Sequence, residues 1–107
     1  MVDRKQLAID FANSLNHPEI EKIILFGSVA RNEDTEDSDI DILIITNKKE
    51  DRYKIKEDVY TKVMDIVYKH MEYNSAKIIS LDHYKKCEDF SFYSKVNKEG
   101  IVIGWSK

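Results

Sequence analysis

The run Ile40-Asp41-Ile42-Leu43-Ile44-Ile45-Thr46 restricts the fold of this chain more than any other stretch. Five of its seven residues are β-branched, which suits a pleated, packed surface and disfavours a helix. Apolarity is nearly continuous, so the run reads as a buried strand. Ile20 to Phe26 is an earlier run of the same kind, stopped by Gly27.

The segments around these strands carry a different period. Asp3 is placed to cap a first helix with Leu7, Ile9, Phe11, Ala12 and Leu15 on its apolar side, ending before Pro18. From about Glu50 to Glu72, the residues Ile55, Val59, Val63, Ile66, Val67 and Met71 recur at steps of three or four, giving one long amphipathic helix. Ala76 to Ser80 reads as a third strand, with Asp82 capping a short helix after it. Phe90 to Lys98 reads as a helix stopped by Gly100 in the position glycine usually takes, and Ile101 to Ile103 as a last strand. The expected order is α-β-(short α)-β-α-β-α-α-β, an α/β domain with helices packed on a small mixed sheet.

A chain of 107 residues suffices for one domain, taken as residues 1–107, and is too short for two. Its 42% hydrophobic content is enough to build a core. A net charge of −3 argues against general nucleic-acid binding, which calls for a basic surplus. Locally, six of the nine residues from Glu33 to Asp41 are acidic, whereas Lys48 to Lys62 mixes both signs like a solvated helix face. The one cysteine, Cys87, forms no internal disulfide, and its plain reading is a packing residue in a reducing compartment. No apolar run approaches the roughly 20 residues of a membrane span, and the first residues lack the apolar stretch of a signal peptide. A soluble cytoplasmic protein with no membrane partner is expected.

Chemistry concentrates between the first two strands. Side chains at i and i+2 of a strand leave the same face, so Asp39 and Asp41 point one way and Ile40 and Ile42 the other. Two carboxylates side by side repel unless a proton or cation lies between them, and an oxygen-only pair suits Mg²⁺. Both could instead be solvent-facing residues on an edge strand. Leu43 and Ile45, however, continue the aspartate face as apolar residues, which puts the charges at the mouth of a buried face and favours a metal. Gly27-Ser28 follows a strand and opens a helical turn, where glycine lets backbone approach a ligand and free amides suit phosphate. Taken alone, Ser28 would be a helix cap and Arg31 a surface cation. Coupled to the two aspartates, these residues form a phosphate cradle facing a metal site.

Gly27-Ser28, ten intervening residues, then Asp39-Ile40-Asp41 resembles the signature of polymerase beta-type nucleotidyltransferases. The longer strings Phe26-Gly27-Ser28-Val29-Ala30-Arg31 and Ser38-Asp39-Ile40-Asp41-Ile42 are similar to the minimal nucleotidyltransferases of prokaryotes. The closing stretch Phe92-Tyr93-Ser94-Lys95-Val96-Asn97-Lys98-Glu99-Gly100-Ile101 is like the helix-glycine-strand that ends many of them. The resemblance implies a polymerase beta-like fold, with ATP or another nucleoside triphosphate held by Gly27 and Ser28 and Arg31 assisting. It also implies that Asp39 and Asp41 are catalytic and bind two Mg²⁺ ions for in-line attack of a hydroxyl on the α-phosphorus.

Catalysing members of that family usually carry a third carboxylate on the neighbouring strand. The matching segment here, Asn74 to Ser80, has no acid; Ser75 or Lys77 takes the place, while Glu72 and Asp82 only flank it. Three accounts stand open at this point. The two aspartates suffice, alone or with a partner's carboxylate; Lys77 takes over some charge neutralisation; or transfer is lost and a binding module remains. With almost nothing beyond the catalytic core, the acceptor site has to come from a partner or another copy of the chain. By resemblance that partner is a helical HEPN-domain toxin, with this chain as its antitoxin, adenylylating a tyrosine of the toxin or neutralising it by occlusion. Transfer to a small molecule such as an aminoglycoside lacks a binding domain here.

The remaining residues have plainer readings. His17, His70 and His83 show no metal-ligand spacing with each other or with Cys87, and His70 suits the negative end of the long helix. Tyr53, Tyr60, Tyr68 and Tyr73 are explained by core packing and partial exposure, an exposed subset being open to a partner. Glu33, Asp34, Glu36 and Asp37 read as a solvated loop.

Overall fold

A computed structural model describes residues 3–47 and 52–105. Helix α1 (Arg4–Ser14) leads into β1 (Ile20–Phe26), the single turn α2 (Gly27–Ala30), β2 (Ile40–Thr46) and the long α3 (Arg52–His70). Then come β3 (Asn74–Ser80), α4 (Leu81–Lys86), α5 (Ser91–Glu99) and β4 (Ile101–Trp105). The four strands form one mixed sheet in the order β3-β2-β1-β4, with β2 parallel to β3 and the other two pairs antiparallel. The expected α/β architecture and element order are therefore present.

The two central strands explain why the runs at residues 20–26 and 40–46 are so apolar. On one face, Ile23, Leu25, Ile40, Ile42 and Ile44 pack with Ala8, Phe11 and Ala12 of α1 and with Ile55 and Val59 of α3. On the other, Ile24, Leu43 and Ile45 pack with Tyr84 of α4 and Val96 of α5. Helices cover both sides, so alternation has no solvent face to mark. Among the described residues no helix is long and apolar enough to cross a membrane.

Local chemistry departs from expectation in several places. Asp3 does cap α1, accepting from the Gln6 amide at 3.1 Å. Ala8, rather than Ile9, is the fully buried residue of that stretch. Ser80, not Asp82, caps α4: its hydroxyl accepts from the His83 amide at 3.2 Å, and Asp82 lies in the first turn. Strand β3 starts two residues before Ala76, because its ladder with β2 pairs Asn74 with Ile40 and Ser75 with Asp41, whatever their polarity. The expected start of α3 near Glu50 lies outside the described residues. Its end is at His70, since Met71 takes a left-handed φ of 56°.

Gly100 follows α5 but with φ −73°, so no left-handed conformation explains it. A Cβ there would run into the Val96 carbonyl and the Ile24 side chain, so glycine is needed for close approach of helix to sheet. The tyrosines of α3 and its end differ most from expectation. Tyr53, Tyr60, Tyr68 and Tyr73 are all more than half exposed, so core packing does not account for them. Ile55 and Val59 supply the buried stripe instead.

Candidate active site

The register of the sheet assembles the site. Phe26, Asp41 and Ser75 lie in one row across β1, β2 and β3, followed by Ile24, Leu43 and Lys77 in the next row on the same face. The aspartate face thus runs from charge at its edge to the packed cluster of Ile24, Leu43 and Ile45. Asp41 is half-buried and Asp39, one residue before the strand, is exposed. The amide of Ile40, between them, donates to the Tyr73 carbonyl at 2.9 Å, which extends the pairing of β2 with the segment leading into β3 and fixes the backbone from which both acids project.

Gly27 ends β1 with φ +77°, a conformation that side chains rarely adopt. A Cβ at this position would strike the Asp41 carboxylate, so the turn lies directly against that acid. Sterics and backbone geometry both require glycine. Ser28 sits inside the first turn of α2 and is not its cap; the cap position is Phe26, which makes no side-chain cap hydrogen bond. Gly27, Ser28, Asp39 and Asp41 are therefore brought together at one end of the sheet.

Arg31 is placed differently. Its guanidinium donates to Glu33 at 3.1 Å and to Glu99 at 3.2 Å, so a contact 68 residues away on α5 holds it. Its charge still reaches Asp41. Burial raises the Asp41 carboxyl above its ordinary value and the neighbouring Asp39 charge adds to this, while Arg31 and Lys77 pull it back down. A half-buried carboxylate beside a second one is costly to ionise, and a cation relieves that cost. The donors are hard oxygens at the start of a strand, so the pair fits Mg²⁺, which takes one or two carboxylates and fills its shell with water and phosphate. Neither Asp39 nor Asp41 enters an ion pair among the described residues.

Ser75 is the direct neighbour of Asp41 on β3, and Lys77 is one step further along the same face. The Lys77 ammonium lies 4.8 Å from the centre of the Phe92 ring, and Phe92 packs edge-on against Phe26 at 5.5 Å. Glu72, which flanks the strand, is spent elsewhere. It accepts from Arg4 at 2.9 Å, and Arg4 also holds Asp34 at 2.9 Å and the Thr35 and Glu36 carbonyls. The acidic loop is thus not merely solvated: Asp34 and Glu33 each have a cation. His83 and Cys87, four residues apart, approach to 3.9 Å across one helical turn. No third ligand joins them, and no cluster of three His, Cys, Asp or Glu that could hold a metal occurs among the described residues. Phe92, Glu99 and Arg4 were given no role by the sequence, and their side chains offer no local motif to show one.

A left-handed glycine turn set against an acid pair at the start of a central strand is the arrangement at this end of the sheet. The chain belongs to the family described as Polymerase beta, Nucleotidyltransferase, whose pattern it matches over residues 10–104. It is 39% identical over 97 residues to the protein of Methanocaldococcus jannaschii named "Putative protein adenylyltransferase MJ0604", covering 88% of this chain and 91% of that one. Among solved structures, one described as a nucleotidyltransferase of Sulfolobus solfataricus, the assignment itself marked "putative", superposes with a TM-score of 0.52 at 20% identity. That match covers 94% of this chain and 75% of the other. A toxin–antitoxin structure with AMP-PNP gives 0.57 at 18% identity, over 96% and 73%. At such identities the two structures show the shared fold alone.

Proposed function

We propose that this chain is a Mg²⁺-dependent nucleotidyltransferase that moves AMP from ATP to a hydroxyl of a partner protein, and that it is the antitoxin of a HEPN-domain toxin. One observation carries the reading: Asp39 and the half-buried Asp41, neither in an ion pair among the described residues, stand at the start of β2 with Asp41 directly against a turn that only glycine permits. The M. jannaschii relative's name supports adenylyl transfer to protein, and the toxin–antitoxin fold neighbour holding AMP-PNP supports both the nucleotide and the setting.

The chain's own residues divide the work. Gly27 lets phosphate approach the backbone, the Ser28 hydroxyl donates to a phosphate oxygen, and Arg31 adds positive charge at the rim. Asp39 and Asp41 hold the cation, which when bound neutralises phosphate charge and eases deprotonation of the acceptor hydroxyl. The acceptor oxygen bonds to the α-phosphorus, the bond from that phosphorus to the bridging oxygen breaks, pyrophosphate leaves and the hydroxyl proton passes to water. Positioning and charge neutralisation supply most of the acceleration in such transfers.

The decisive experiment mixes the purified chain, Mg²⁺, ATP and the protein encoded beside it, and weighs the products intact. A gain of one or more AMP on the neighbour, lost with Asp39→Asn or Asp41→Asn, is the expected result. The absence of an acid at Ser75 favours a second reading, a binding module that neutralises its toxin by occlusion. Under that reading the neighbour stays unmodified in a stable complex, and the same substitutions leave neutralisation intact.

A further inference from the structure

We propose that Lys77 is the built-in second cation of the nucleotide site, so that the chain takes up one divalent metal ion with its nucleotide instead of two. The inference rests on the nucleotidyltransferase reading above and specifies its charge arrangement. One divalent ion can draw most of its ligands from the triphosphate, but a second one at the acceptor hydroxyl has to draw its anionic ligands from the protein. Here the row beside Asp41 ends in the neutral hydroxyl of Ser75, and Glu72, the nearest acid along the chain, is held by Arg4 at 2.9 Å. Asp39 and Asp41 alone suit one Mg²⁺.

Lys77 is a cation on that face. It stands opposite Leu43, one step along the strand pair from Asp41 and Ser75, with its charge felt at Asp41. The ammonium is 4.8 Å from the Phe92 ring centre, and Phe92 is braced at 5.5 Å by Phe26, the cross-strand partner of Asp41. A cation held over an aromatic face keeps its attraction to anions while losing some of its rotamer freedom. Arg31 is a poorer candidate for the role, because Glu33 and Glu99 already occupy its guanidinium, whereas Lys77 enters no ion pair among the described residues. A lysine here meets the polyphosphate as a point charge, a role in which one charge-assisted hydrogen bond is a sizeable contribution.

The test counts metal ions. Mn²⁺ is titrated into the chain with a non-hydrolysable ATP analogue, and free Mn²⁺ is followed by electron paramagnetic resonance. One bound ion per chain is expected, rising to two in the double variant Ser75→Asp, Lys77→Met. Lys77→Met alone, which keeps the aliphatic stem against Phe92, should weaken analogue binding about tenfold. Lys77→Arg should restore most of it, and thermal melts should show both variants folded. Two ions in the unaltered chain, or analogue affinity indifferent to Lys77→Met, overturns the Lys77 role and leaves nucleotidyl transfer standing. No uptake of Mn²⁺ or analogue by the unaltered chain overturns both.

Discussion

Two groups of acids in this chain meet opposite fates. Asp34 and Glu72 share Arg4, each at 2.9 Å, with Arg4 also gripping the loop backbone at Thr35 and Glu36. Asp39 and Asp41, five and seven residues beyond Asp34, have no ion-pair partner among the described residues, and burial with mutual repulsion raises the Asp41 carboxyl. Composition does not separate the two groups. The first holds the structure together, and the second stores an electrostatic cost that a ligand can relieve. Sites of function are found where such costs are left uncompensated by the fold itself.

The largest effect should come from removing the two site carboxylates. Asp39→Asn and Asp41→Asn are each expected to lower nucleotidyl transfer to the partner on the order of 10²–10³-fold, read by incorporation of α-labelled ATP. Asp41→Asn should at the same time stabilise the empty protein modestly at neutral pH. The sign follows from the raised carboxyl: the charged form costs stability once pH exceeds the ordinary carboxylate range, so the gain from asparagine appears there and disappears below it. Mg²⁺ should raise the melting temperature of the unaltered chain and not that of the variant. A loss of stability in Asp41→Asn at neutral pH would mean that the acid is compensated after all.

Gly27→Ala comes next. It imposes a left-handed φ on alanine and drives its Cβ into Asp41, for an expected loss of about 2 kcal/mol in urea unfolding together with weaker nucleotide binding. Arg4→Met should cost about 1–2 kcal/mol, because it strands Glu72 and Asp34, and should speed amide exchange in residues 33–38. It should leave the metal stoichiometry unchanged. If it abolished metal uptake instead, the division between structural and functional acids would not hold.

Much of this was legible from residue order. The strands were readable because both faces of β1 and β2 are largely buried, which leaves short apolar runs, β-branched above all in β2, that suit a strand covered on both sides. The Gly27-Ser28 turn and the Asp39–Asp41 pair were readable because their relation is local and periodic. Contacts made across long sequence separations were not readable. Glu99 on Arg31, Phe92 under Lys77 and Arg4 on Glu72 are 68, 15 and 68 residues apart, and each depends on which helix crosses which strand end. The exposed share of the α3 tyrosines is larger than expected for a related reason: the stripe facing the sheet is Ile55 and Val59, continued by Val63 and Ile66, and aromatic content does not show this. Gly100 was placed correctly and explained wrongly, since crowding against Ile24 and Val96 cannot be seen from a sequence.

The smallest effect gives the sharpest contrast, because it sets one aspartate against another in the same measurement. Asp58 on α3 is also partly buried, which by itself would raise its carboxyl. Lys62 at 2.6 Å and His17 at 2.8 Å outweigh that and hold it below the ordinary value. An acid lowered in the folded protein contributes stability above the carboxylate range and loses it as pH falls through that range. Asp58→Asn should therefore destabilise by about 0.5–1 kcal/mol at neutral pH, with the difference closing in acid. Asp41→Asn should do the reverse over the same pH interval. The two substitutions are chemically identical, so opposite signs in paired urea melts at neutral and acidic pH can arise only from the surroundings. One surrounding supplies its compensating charge from the fold, and the other leaves part of that charge unsupplied. Matching signs would show that the Asp41 environment is an ordinary surface one and remove the electrostatic argument for a ligand there.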